Sequence, residues 1–95
     1  MYKEKIKLYK NYLFNFSSSY TGGGLKRLIA YIEWFNKKGG AHFIVNEKLR
    51  GKLDDFSRNT YHYVSVTHFQ KLINTQRYVD VVIKEMGKCD FYYSY

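Results

Sequence analysis

The run Ser17-Ser18-Ser19-Tyr20-Thr21-Gly22-Gly23-Gly24-Leu25-Lys26-Arg27 concentrates the residue types that hold an anion. Three consecutive glycines carry no Cβ, so the backbone there can turn sharply or lie close against a ligand. An amphipathic segment follows, and the first N–H groups of a helix have no intrahelical acceptor. Such a junction cradles phosphate through main-chain donors, and Lys26 and Arg27 add positive charge. The pattern is neither G-x-G-x-x-G nor G-x-x-x-x-G-K-[ST], because Leu25 follows Gly24. A tight strand-to-helix turn that needs glycine only for packing is the alternative. Thr21 has the same two readings, as a helix N-cap or as a hydroxyl touching the ligand.

Elsewhere the reactive side chains are scattered. His42 and His62 fall within strand-like segments and His68 just beyond the second of these, so no two histidines have the i, i+4 spacing of a helical metal site. Cys89 has no second cysteine to share a metal or a disulfide. Asp54-Asp55 lies in a basic, polar stretch and reads as a surface pair. No nucleophile and base are spaced to act together, and the sequence calls for no metal and no cofactor.

The elements that must position these residues follow from periodicity. Residues 11–17 contain Tyr12, Leu13, Phe14 and Phe16, a short apolar run suited to a strand covered on both faces. Leu25, Leu28, Ile29, Ile32 and Phe35 repeat at helical spacing, predicting a helix over 25–38 that Gly39-Gly40 ends. Residues 41–45 form a second apolar strand, reached by a crossover long enough to make it parallel to the first. Residues 46–57 read as a short exposed helix or an irregular turn. A third strand is expected over 61–66, nearer the sheet edge. Tyr78, Val79, Val82, Ile83 and Met86 mark a helix from about Thr75, its candidate cap, to Gly87. Residues 67–74 read as a separate helical turn, and 91–95 as a fourth strand. Alternating strands and helices predict an α/β, three-layer, Rossmann-like parallel sheet of about four strands in order 3-2-1-4, with helices on both faces. Strands 1 and 4 are then neighbours, and a crevice opens at their C-terminal ends beside the glycines and Tyr95. The reading is of one incomplete domain spanning 1–95, its last strand an exposed edge open to self-association.

Composition narrows the classes further. Hydrophobic residues make up 45% and aromatics 20%, which excludes a disordered chain, and no apolar run approaches the length of a membrane span. The charged start and the single cysteine suggest a cytoplasmic protein. Sixteen Lys and Arg against eight Asp and Glu give a net charge of +8, favouring anionic partners such as nucleic acid, acidic lipid or a phosphorylated small molecule. Lys3, Lys5, Lys7 and Lys10 would meet an anionic membrane at its inner face. The eleven tyrosines invite base stacking, but Tyr12, Tyr31, Tyr61, Tyr63 and Tyr78 are expected on buried or half-buried faces. Tyr92, Tyr93 and Tyr95 belong to the last strand, and Trp34 beside Phe35 suits a helix-sheet contact.

The order of motifs resembles a known family. A strand, the Ser17-to-Leu28 glycine turn, Trp34-Phe35-Asn36-Lys37-Lys38-Gly39-Gly40 and His42-Phe43-Ile44-Val45-Asn46 are similar to the start of the N-terminal Rossmann-like domain of GT-B glycosyltransferases, especially the retaining family-4-like group. Lys88-Cys89-Asp90-Phe91-Tyr92-Tyr93-Ser94-Tyr95 resembles that family's fourth strand. The resemblance implies transfer of a sugar from a nucleotide-sugar donor to a sugar or lipid-linked acceptor, in a cleft shared with a C-terminal domain. It would place Gly22, Gly23 and Gly24 beside the donor diphosphate, with Thr21, Lys26 and Arg27 as further substrate-binding candidates. The two glutamates of that family's C-terminal motif have no counterpart here, so the segment by itself is expected to be inactive. A small basic nucleic-acid-binding module is the alternative, disfavoured by the lack of a recognised motif.

Overall fold

Leu13 and Asn15 alternate with Phe14 and Phe16, and all four are buried, so the strand they form is covered on both faces. In the computed structural model, residues 9–65 and 68–95 are described, residues 68–75 by backbone alone. The chain runs β1 (Tyr12–Phe16), α1 (Gly22–Lys37), β2 (His42–Asn46), a 3-10 turn (Glu47–Leu49), β3 (Thr60–Val64), α2 (His68–Met86) and β4 (Phe91–Ser94). All strand pairs are parallel, in the order β3-β2-β1-β4. The α/β architecture and strand order expected from the sequence are therefore present.

Two cores lie on opposite faces of the sheet. On one, Leu28 and Ile32 of α1 pack with Phe14, Phe16, Phe43 and Val45. Full burial of each of these two aliphatic side chains contributes about 1.5–3 kcal/mol. On the other face, Val79 and Val82 of α2 pack with Leu13, Ile44 and Val64. The link from β2 to β3 also joins the first core, because Leu49 and Leu53 are buried there. What looked like an exposed segment is a lid of turns pinned by two leucines.

Boundaries differ from expectation in ways that have causes. Helix α1 begins at Gly22 rather than Leu25, so the glycines form its first turn instead of preceding it. Helix α2 is continuous from His68, which places Thr75 inside it and not at its cap. Its nineteen residues run without a break through Thr75. Val66 and Thr67, like residues 1–8 with Lys3, Lys5 and Lys7, lie outside the described residues. Trp34 and Tyr78 are not packed against the sheet as expected; they are 46% and 41% exposed.

The end of α1 is fixed by a backbone contact that only glycine permits. Gly40 has φ +103° and donates to the Phe35 carbonyl at 2.8 Å, and a Cβ there would overlap the Arg58 carbonyl oxygen. The neighbouring Asn59 ties three elements together. Its Oδ1 accepts from the Ala41 N–H at 3.0 Å, while its Nδ2 donates to the Ile32 carbonyl at 3.0 Å and to the Tyr61 hydroxyl at 3.2 Å.

Candidate functional site

The strip from Ser17 to Gly24 sits at the C-terminal edge of the sheet because two strand-end asparagines hold it there. Asn15 accepts from the Ser17 N–H at 3.1 Å, and Asn46 donates to the Ser17 carbonyl at 3.2 Å. Asn46 also accepts from the Lys48 N–H at 3.0 Å, so one buried side chain joins the loops after β1 and β2. Ser19 then donates its N–H to the Phe16 carbonyl at 2.9 Å and turns the chain towards α1. Neither asparagine stood out in the sequence. The signal was a polar residue inside each of two apolar strand segments, where burial demands a partner.

The three glycines differ in backbone and surroundings. Gly22 takes φ +61°, a left-handed conformation that favours glycine, and a Cβ at Gly22 or Gly23 would meet nothing within 4 Å. Both are exposed. At Gly24 a Cβ would lie 3.4 Å from the buried Ser19, an ordinary van der Waals contact. Conformation thus explains the first glycine, and neither conformation nor packing requires the second or the third.

Thr21 occupies the N-cap position in extended conformation, yet its side chain makes no capping hydrogen bond. Leu25 donates to the Thr21 carbonyl at 3.3 Å, which leaves the amides of residues 22–24 ahead of the first intrahelical acceptor. Donors at such an end attract negative charge. The first turn of α1 holds no acidic residue.

Of the two cations, Lys26 is exposed and, among the described residues, forms no ion pair. Arg27 is drawn to the end of β4, its guanidinium 4.9 Å from the centre of the Tyr95 ring. Tyr95 stacks in turn on Phe16 at 5.4 Å and donates its N–H to the Asn15 carbonyl at 3.0 Å. Arg27 and Tyr95 therefore meet at the C-terminal ends of β1 and β4, on one side of the sheet. On its other face Asn15 donates to the Tyr92 hydroxyl at 3.1 Å. Lys48 lies 4.6 Å from the Tyr20 ring centre, adding a second cation-aromatic pair near the glycine strip.

A second cluster lies at the other end of the strands. The register sets Ile44 opposite His62 and Thr60 opposite His42, which brings the two imidazoles onto one face. His42 Nδ1 and His62 Nε2 are 2.8 Å apart, with rings nearly parallel. Burial and the neighbouring His62 hold His42 below its usual pKa. Burial likewise lowers His62, against an opposing pull from Glu85 on α2. Spacing in the chain could not reveal this pair, since the two residues are neighbours only through strand pairing. Among the described residues no group of three potential metal ligands converges. No helix among them is long and apolar enough to cross a membrane.

Comparison with protein-family models, with curated proteins and with solved structures finds no match to this chain.

Proposed function

We infer that this chain is the N-terminal part of a glycosyltransferase that moves a sugar from a nucleotide-sugar donor to an acceptor. The observation that carries the reading is the open first turn of α1 at the end of β1, where Gly22 and Gly23 are exposed and unobstructed. In an open parallel sheet, ligands settle at the carboxyl ends of strands where the connections diverge. Here β1 leads to α1 on one face, while β4, its neighbour, is approached from α2 on the other. The amides of residues 22–24 would border the donor diphosphate, with Lys26 and Arg27 lowering the cost of bringing in its charge. Thr21, with its hydroxyl not engaged in capping, would reach the same ligand.

A second domain would hold most of the donor in this reading; the flank of β4 also carries exposed apolar surface, with a cleft at the strand ends away from the glycines. Phe91, Tyr92, Tyr95 and Trp34 are exposed there, and Trp34, Phe35, Tyr12 and Phe91 line an apolar cleft of about 370 Å³. Such a surface favours a further layer. The acceptor-side wall, a cytoplasmic setting and an anionic membrane as a peripheral partner belong to the same proposal.

Two measurements test it. In the two-domain enzyme, Gly23→Val should lower the transfer rate about tenfold or more, equivalent to about 1.4 kcal/mol of barrier. In the 95-residue chain, millimolar pyrophosphate should move the amide resonances of residues 22–24, and a nucleotide-sugar should bind no more tightly. Unchanged transfer, or tight nucleotide-sugar binding by this chain alone, would contradict the division of labour.

The second reading, a basic nucleic-acid-binding module, draws on cation-aromatic pairs at the surface, such as Lys48 with Tyr20 and Arg50 with Tyr63. It requires binding to oligonucleotides that falls steeply with salt and is indifferent to sugar nucleotides.

A further inference from the structure

At the edge of the sheet where β2 and β3 begin, Lys10, His42, Arg58 and Thr60 line a cleft of about 220 Å³ together with residues 39–41. Among the described residues no acidic side chain lines it. Lys10 and Arg58 are exposed, and among the described residues neither forms an ion pair. Two uncompensated cations beside a histidine and a hydroxyl make a local field that attracts an anion and repels a metal ion.

We propose that this cleft binds a tetrahedral oxyanion, either inorganic phosphate or the phosphoryl group of a larger molecule, through Lys10, His42, Arg58 and Thr60. The site lies across the sheet from the glycine turn and is independent of it. The hydrogen bond between His42 Nδ1 and His62 Nε2 leaves Nε2 as the remaining ring nitrogen of His42. When His62 donates in that bond, His42 Nε2 carries a hydrogen and donates even while the ring is neutral. One further proton turns the neutral pair into a cation beside the cleft.

Anion binding is thereby linked to protonation. The groups facing the pair among the described residues are Lys10 and Arg58 at the cleft and Glu85 from α2. Burial opposes a further proton on the pair, and His62 opposes one at His42, whereas Glu85 favours it at His62. A dianion in the cleft reverses the local balance. Affinity should accordingly rise as pH falls through the imidazole range, and binding should offset the acid sensitivity of the folded state.

Sulfate is a suitable probe because its charge stays constant where imidazole titrates. Thermal unfolding would be followed in sodium sulfate and in sodium chloride of equal ionic strength, at neutral and mildly acidic pH. Wild type should gain more from sulfate than from chloride, and the gain should grow on the acid side. Lys10→Gln with Arg58→Gln should weaken apparent sulfate affinity about tenfold, since both charge-assisted contacts are lost. His62→Gln should leave binding at neutral pH and weaken its pH dependence, with His42 remaining to titrate. Amide resonances of residues 39–41 and Thr60 should move with saturation. Phenyl phosphate binding more tightly than phosphate would identify the phosphoryl group of a larger ligand, and equal binding the free ion. An equal sulfate increment in wild type and the double variant would expose a general salt effect and overturn the proposal. Resonance shifts confined to residues 22–24 would overturn it as well, assigning the anion to the glycine turn instead.

Discussion

Single residues decide the sharpest features of this protein. Gly40→Ala should destabilise strongly, because the substitution combines a left-handed backbone with overlap on the Arg58 carbonyl oxygen. A loss of about 2–4 kcal/mol in urea unfolding is expected. Gly22→Ala has positive φ but open space, so about 1 kcal/mol is expected there. Equal losses at the two positions would refute the steric argument. Asn59→Ala removes three hydrogen bonds and leaves the buried Ala41 N–H without its acceptor, at about 1–3 kcal/mol. The His42 and His62 pair sets a pH dependence with a definite sign. Both folded-state pKa values lie below the ordinary 6.5, so the unfolded chain takes up protons first as the solution is acidified. Stability should be full above about pH 6.5, fall below it, and level off once the folded-state values are passed. His62→Gln should flatten the profile of unfolding free energy against pH; an unaltered profile would assign the acid loss to other groups.

Among the elements, α1 combines a scaffold role with the candidate site. Its buried face depends on Leu28 and Ile32, both fully excluded from solvent, and Ile32→Ala should cost about 2–5 kcal/mol in urea unfolding. Its exposed first turn makes no such contribution at Gly23, where a Cβ touches nothing. Substituting Gly23 by Ala should therefore leave stability within about 1 kcal/mol of wild type, or raise it, since alanine is the better helix former. A loss well beyond that range would show that the second glycine is a packing residue after all. The periodicity of α1 was readable from Leu25 onward, but its start was not. Glycines argue locally against helix, and only the hold of Asn15 and Asn46 on Ser17 shows where the chain is aimed.

At the scale of the whole molecule, a doubly covered sheet with unequal strands predicts a hierarchy of opening. Strands β1 and β2 are paired on both edges, whereas β4 and β3 each have one partner. Amides of β1 and β2 should exchange slowest, and the outward amides of β4 fastest within the sheet, as read by hydrogen exchange. Uniform protection would point to a partner along the β4 edge. Much of this architecture was legible beforehand, because apolar runs separated by crossovers of helical length admit few arrangements. Tyr12 to Phe16 announced a strand covered on both faces, and Leu28 with Ile32 a buried stripe. The exposed Trp34 and Tyr78 were misjudged because periodicity gives a face but not its depth. Sequence by itself determined the α/β class, the strand order and the glycine strip at a strand-to-helix junction, since these follow from local patterns and short connections. Tertiary structure decided the left-handed backbone at Gly22, the asparagine clasp on Ser17, and the pairing of His42 with His62. Those depend on distances between residues remote in the chain, which strand register and packing set and no local spacing encodes.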